Sequence, residues 1–345
     1  MAEASGRAAG VLACAGVWPG LKDIFAVDSG LGTALQFHAA SPAMQFPTAA
    51  RERIAIASYP FRDFILGRGE KNDGQQQNTG GAGGDIVNGA SASRRGGSGK
   101  MELKDFAAHV SAKFNIKKIE PWSEHFRSLD KAYLEELRAA VAKAGGAIVN
   151  MAVDGENSPY AADGAERERA VAFSKQWIDA AVAIGSPSVR TNIPRAKDSK
   201  PDLERTVESV KRVAEYGAAK NVVVNLENDN PVSEDPFFLV KVIEKVNSPW
   251  LHALPDFANT LAAYEEEYAY RGIDAMFGHA YNISHVKEME VGDGKDKIAH
   301  VDLARTFGIA KKHEYKGYFS MEWDSPGDPY AGTAGLIEKT LKNLG

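Results

Sequence analysis

Beyond residue 53 the chain alternates between short apolar runs that end in polar residues and longer stretches whose apolar positions recur at helical spacing. The runs are Ile54–Ser58, Lys117–Pro121, Ala147–Val153, Ser188–Asn192, NVVVNLE ending at Glu227, Leu251–Asp256, Ala280–Val286 and Gly317–Trp323. Short apolar runs bounded by polar tips fit strands buried on both faces, as in a parallel sheet covered by helices. Between and after them the spacing predicts helices over Leu103–Phe114, Leu129–Ala144, Ala165–Ile184, Asp202–Lys220, Pro236–Val246, Leu261–Arg271, Asp302–Lys312 and Thr333–Leu344. Gly145-Gly146 closes the second of these and Gly185 the third, as helix C-termini favour.

Eight strands alternating with helices predict a closed (β/α)8, or TIM, barrel as a single α/β domain over residues 54–345. That span holds 292 residues, and subtracting a 34-residue insertion at 67–100 leaves 258, against roughly 250 for such barrels. No glycine-rich phosphate fingerprint follows the first strand, which weighs against an open dinucleotide-binding sheet. The insertion contains 11 glycines among its 34 residues and no aromatic residue, so it cannot bury enough surface to fold alone. Leaving the carboxyl end of the first strand, it reads as a flexible surface loop, or as a lid over the barrel mouth.

Residues 1–50 show no sustained period and read as a leader or arm. Within them AAGVLACAGVW follows Arg7 and has the look of a secretion-signal core, so cytoplasmic and exported (periplasmic) locations both stay open. Cys14 is the only cysteine, which excludes an intramolecular disulfide and a cysteine zinc cage, leaving any metal to oxygen and histidine ligands. A net charge of −5 lacks the basic surplus that a nucleic-acid partner demands. No stretch reads as a membrane span, and a small hydroxylated ligand suits the composition better.

In a barrel the carboxyl ends of all strands converge on one mouth. Four consecutive strand ends here carry Glu227, Asp256, His285 and Glu322. Singly, each has a bland explanation as a solvated loop residue, a helix cap or a hydrogen-bonded structural histidine. Together they are three carboxylates that repel one another unless a cation compensates, beside an imidazole, and so form a ligand set for one divalent metal. Such an oxygen-rich set favours Mn²⁺, with Mg²⁺, Co²⁺ and Zn²⁺ as alternatives. Candidate substrate contacts are Arg62, Glu120, Trp122, Arg190, Asn225 and Lys287, the last two placed by strand alternation on the ligands' face. Core packing is the bland role for Trp122, and an interior salt bridge that for Arg190.

The motifs NLEND, LPDFAN, HVKE and MEWD resemble those of the sugar phosphate isomerase/epimerase group of xylose isomerase-like barrels, from about Ile54 to the C-terminus. The resemblance implies that one metal bound by Glu227, Asp256, His285 and Glu322 holds adjacent hydroxyl and carbonyl oxygens of a sugar. It further implies that Glu227 and Glu322 remove and return a proton through an enediolate. The sequence departs from the pattern at Asn259, where ketose epimerases of the group carry a histidine. It departs again at Lys287 and Glu288, where an arginine follows the metal histidine.

The expectation is therefore a metal-dependent isomerase or epimerase of a sugar or sugar derivative. The runner-up is a lyase that applies the same enolising groups to 3-keto O- or C-glycosides and ejects the C1 substituent by β-elimination. Two further readings, an apurinic endonuclease and a non-catalytic sugar-binding barrel, fit less well. For the endonuclease His125 offers one further histidine, but the other strand ends carry Arg190, Asn192 and Asn150. The expected partner is a carbohydrate, with a homo-oligomer left open.

Overall fold

The computed structural model describes residues 41–68, 100–229, 232–233, 235–291 and 298–345. The expected leader, apart from its last ten residues, and the insertion, apart from its edges, lie outside the described residues, as do Cys14 and the lid reading.

Eleven strands are described: β1 Ile54–Ala57, β2 Lys118–Glu120, β3 Ala147–Ile148, β4 Met151–Ala152, β5 Ser188–Thr191, β6 Val223–Glu227, β7 Leu251–Leu254, β8 Ile283–Val286, β9 Met289–Val291, β10 Ile298–His300 and β11 Tyr318–Met321. The α-helices are α1 Phe106–Phe114, α2 Lys131–Lys143, α3 Gly164–Ile184, α4 Leu203–Lys220, α5 Pro236–Val246, α6 Asn259–Ala263, α7 Glu266–Phe277, α8 Leu303–Lys312 and α9 Pro329–Leu344.

Parallel pairing runs β3-β2-β1-β11-β8 in one ladder and β4-β5-β6-β7 in another. Single parallel bridges Trp122↔Ala152, Ala253↔Ala280 and Asp256↔His285 join the two ladders and close the ring. This is the TIM barrel that the eight-run pattern predicts, with β3 and β4 together filling the place of the third strand.

Alternation sorts the side chains. Ile54 and Ile56 of β1 face the main core between ring and helices. Ala55, with Val149, Leu254 and Ile283, forms a separate small cluster on the opposite, interior side, backed by Tyr318. Outside the ring, Phe257, Phe307 and Phe319 pack edge-on or tilted at 5.0–6.3 Å, and Phe126 meets Trp177 edge-on at 5.3 Å. Burying aromatics of this size is worth about 1.5–3 kcal/mol each, which keeps the helical shell against the strands.

Local chemistry sets the element ends. Asp163, Asp202, Asp235, Asp302 and Asp328 accept backbone N–H bonds at the first turns of α3, α4, α5, α8 and α9. Asn115, Asn221 and Asn247 take left-handed backbone at the ends of α1, α4 and α5, a conformation that asparagine tolerates better than most. Gly217 lets α4 lie on the start of β6, since a Cβ there would come within 2.6 Å of the Val222 carbonyl oxygen.

Three expectations are corrected and one element is new. The third strand breaks at Val149-Asn150, because β3 pairs with β2 and β4 with β5. The helix expected over Leu261–Arg271 is two helices, since Tyr264 and Glu265 are extended and α7 restarts with Glu266 and Glu267 in its first turn, favoured by the helix dipole. The antiparallel hairpin of β9 and β10 was not anticipated. The last helix begins at Pro329, behind the Asp328 cap, rather than at Thr333. Among the described residues no helix is long and apolar enough to cross a membrane.

Candidate metal centre

Each candidate ligand is set by a neighbouring strand. Glu227 is the last residue of β6, and its chain neighbour Asn228 clamps the next strand end. The Asn228 Oδ1 accepts from Asp256 N at 2.7 Å, while its Nδ2 donates to Asp256 O at 3.1 Å and to Thr260 Oγ1 at 2.8 Å. Asp256 Oδ1 accepts from the N–H groups of Ala258 and Asn259 at 2.8 Å, which commits that oxygen to the start of α6. The other oxygen, Oδ2, is buried with no hydrogen-bond partner. His285 lies within β8, and Glu322 N, just past β11, donates to Val286 O at 3.0 Å.

These placements bring one donor atom from each of Glu227, Asp256, His285 and Glu322 within 4.8 Å of all the others, and all four residues are buried. His285 Nδ1 faces the group, 2.6 Å from Glu227 Oε1 and 3.2 Å from Glu322 Oε2. Arg190 Nε approaches Glu227 Oε2 to 2.6 Å, yet the contact lacks hydrogen-bond alignment and leaves both atoms unsatisfied. Lys287 Nζ donates to Asn259 Oδ1 at 2.9 Å and to Glu290 Oε2 at 3.0 Å, and lies 3.4 Å from Glu322 Oε2 and 3.7 Å from Asp256 Oδ2.

Among the described residues the buried Asp, Glu, Lys and Arg side chains are Glu120, Arg190, Glu227, Asp256, Lys287 and Glu322, all in this cluster. Four acids against two bases leave an excess of two negative charges when His285 is neutral. Without a metal the protons respond. Burial pushes the Asp256 carboxyl up to about 7, helped by Glu227 and Glu322 and opposed by Lys287. Burial likewise raises Glu227, against the pull of Arg190 and His285. Burial would lower His285, but Glu120, Glu227 and Glu322 outweigh it and lift the imidazole well above its ordinary value. At Glu322 burial is overcome by His285 and Lys287, which hold the carboxyl below the usual range.

A divalent cation would supply the charge that this set lacks, and Asp256 Oδ2 and Glu227 Oε2, which lack hydrogen bonds, would offer it lone pairs. The donor set therefore fits an oxygen-preferring metal with one imidazole.

The structure gathers most of the candidate substrate residues around this group. Glu120 ends β2, and its carboxylate hydrogen-bonds His285 Nε2, placing it inside the cluster. Arg190 reaches from β5 to Glu227 and also donates to Asp154. Trp122 is half-buried, its Nε1 donating to Asp154 Oδ2 at 2.7 Å and its ring meeting Tyr59 edge-on at 5.0 Å. Arg62 sits farther out, paired with Asp324 at 2.8 Å and stacked 4.3 Å over Tyr59. Lys287 joins the ligands, whereas Asn225 lies two residues deeper on β6 and donates to Asn282 at 3.0 Å.

Asp154, Asp324 and Asp229, whose Oδ2 lies 3.9 Å from Arg190 Nη1, were missed. Asp154 and Asp324 follow strand runs three and eight, in AVD and MEWD, so a search for every strand-end acid would have found them.

A model of the xylose isomerase-like TIM barrel family matches residues 108–343. L-ribulose 3-epimerase superposes with a TM-score of 0.61 at 17% identity, covering 85% of this chain and 95% of that one. A xylose isomerase-like TIM barrel protein from Mycobacterium smegmatis, in complex with magnesium, gives 0.55 at 18%, over 70% and 90% of the two chains. The 3-keto-D-glucoside 4-epimerase from E. coli gives 0.55 at 13%, over 69% and 94%. No curated protein matches the chain. At these identities the likeness establishes a shared fold.

Proposed function

Since the chain belongs to the xylose isomerase-like TIM barrel family, we propose that it is a metal-dependent isomerase or epimerase of a sugar or sugar derivative. The carrying observation is the convergence of Glu227, Asp256, His285 and Glu322, with one donor atom each inside 4.8 Å. These four hold the metal, Mn²⁺ before Mg²⁺, Co²⁺ or Zn²⁺. When bound, the ion polarises a sugar carbonyl and so acidifies the neighbouring C–H.

Glu227 and Glu322 act as the acid/base pair. One takes the proton from carbon to leave an enediolate, and the other returns a proton to the opposite face, so no net proton is consumed. Each has its own cation close by, Arg190 for Glu227 and Lys287 for Glu322, which keeps the carboxylates oriented during transfer. Trp122 and Arg62 line the outer mouth as substrate contacts, with Arg190 and Lys287 deeper. Asn225 is the remaining proposed contact.

One observation favours a second reading, a lyase acting on 3-keto glycosides. Lys287 and Asn259, which replace the residues expected in ketose epimerases, bond to each other beside Asp256 and Glu322. That alters the surface a ketose would meet. A 3-keto sugar would lose its C2 proton to a glutamate, form a C1–C2 double bond and release the C1 substituent, which leaves with a proton.

Incubating the Mn²⁺-loaded protein in D₂O with free ketoses and with 3-keto glycosides separates the two. Deuterium at carbon without aglycone release supports the isomerase or epimerase, and aglycone release supports the lyase. No exchange and no release with any sugar, in a protein shown to hold Mn²⁺, would reject both.

A further inference from the structure

Glu120 is buried and ionisable, and stands outside the four-residue ligand group. Both its oxygens lie 3.0 Å from His285 Nε2. The opposite edge of the ring, Nδ1, faces Glu227 and Glu322. The imidazole thus stands between Glu120 and the ligand atoms. An imidazole that ligates through one nitrogen carries its proton on the other, and a carboxylate accepting that proton fixes the ring and strengthens it as a donor.

Glu120 is itself held. Asn150 Nδ2 donates to Glu120 Oε1 at 2.6 Å, Asn150 Oδ1 accepts from Ser188 Oγ, and Ser188 Oγ accepts from Asn282 Nδ2 at 2.8 Å. Asn150 sits at the break between β3 and β4. A side chain belonging to neither ladder thereby supports the carboxylate at the end of β2.

We infer that Glu120 is a positioning residue, which keeps His285 turned with Nδ1 toward the metal and Nε2–H on its own carboxylate. The inference rests on the metal-centre reading above and replaces direct substrate contact as the role of Glu120.

The test is ¹H–¹⁵N spectroscopy of the full chain with ¹⁵N-histidine, without metal and loaded with diamagnetic Mg²⁺, together with calorimetric titration of Mn²⁺. The expected result is a protected, strongly downfield His285 Nε2–H signal in both states. Glu120→Gln abolishes it and weakens Mn²⁺ binding by about 10–100-fold, and Glu120→Asp recovers part of both. A purely structural role would leave the ring proton in place. A wild-type His285 with its proton on Nδ1 alone, or a folded Glu120→Gln protein with unchanged signal and affinity, overturns the inference. Where Glu120→Gln fails to fold, the wild-type signal decides. Failure of the wild-type protein to bind Mn²⁺ or Mg²⁺ defeats the metal reading instead, and the metal-free spectrum still tests the hold of Glu120 on His285.

Discussion

Charges on the helical shell and charges at the barrel mouth follow opposite rules. On the shell they come in matched pairs: Arg212 grips Glu168 at 2.6 and 2.7 Å, Arg305 grips Glu267 at 3.1 and 3.0 Å, and Lys312 holds Asp274. Water screens these pairs, and such contacts contribute little to stability. At the mouth four buried acids face two bases, and Asp256 Oδ2 and Glu227 Oε2 lack hydrogen bonds. A fold does not keep an unbalanced buried cluster for stability, because desolvation exceeds what partial pairing returns. The imbalance marks the place where the proposed metal would complete the structure.

The sharpest way to break this contrast is to remove a mouth carboxylate. Glu322→Gln and Glu227→Gln should each lower kcat by about 10²–10⁴-fold with the circular dichroism spectrum unchanged. Turnover within threefold of wild type would reduce the mouth to a buried version of the shell.

Next comes Lys287→Met, which takes the cation from Asp256 and Glu322. Breaking a buried charge cluster on one side costs about 3–5 kcal/mol, to be read from urea unfolding of the metal-free protein. A cost under about 1 kcal/mol would put Lys287 in the same class as the shell.

Metal should then restore balance. Mn²⁺ at one hundred times its Kd adds about 2.7 kcal/mol to wild-type stability. Asp256→Asn, which removes a ligand charge, should lose most of that gain at the same concentration, measured as the shift in thermal midpoint. Equal shifts in the two proteins would place the ion elsewhere.

The smallest effect belongs to the shell. Asp274 accepts from Lys312 and from His313 Nε2, and although partial burial works the other way, these contacts lower its carboxyl below the ordinary value. A depressed carboxyl stabilises above its unfolded value and loses that contribution as pH falls through the folded one. Asp274→Asn should therefore cost less than about 1 kcal/mol at neutral pH, after solvent screening. As pH falls through that depressed value, the difference from wild type should vanish.

Legibility in the sequence follows the same division. The ring could be read because parallel strands buried on both faces leave unbroken apolar runs, as VVVNLE does before Glu227. The break at Asn150 could not, since it depends on β3 and β4 choosing different neighbours. The hairpin of β9 and β10 escaped because KEMEVGDGKDK carries little apolar signal. Four of the mouth's side chains were legible as strand ends. Glu120 was noticed, but its bond to His285 spans 165 positions and no local pattern encodes it.

Ring closure gives one further consequence, in time rather than space. β1 meets β11 with Ile54 opposite Phe319, so the seam joins segments 265 positions apart. Contacts so distant form late in folding, because the intervening chain must be ordered before they reward it. Glu322 directly follows β11 and meets His285 only when that strand is seated between β1 and β8. A refolding chain would thus acquire its metal affinity at the last step, and uptake of the ion would act as a clock for completion of the barrel.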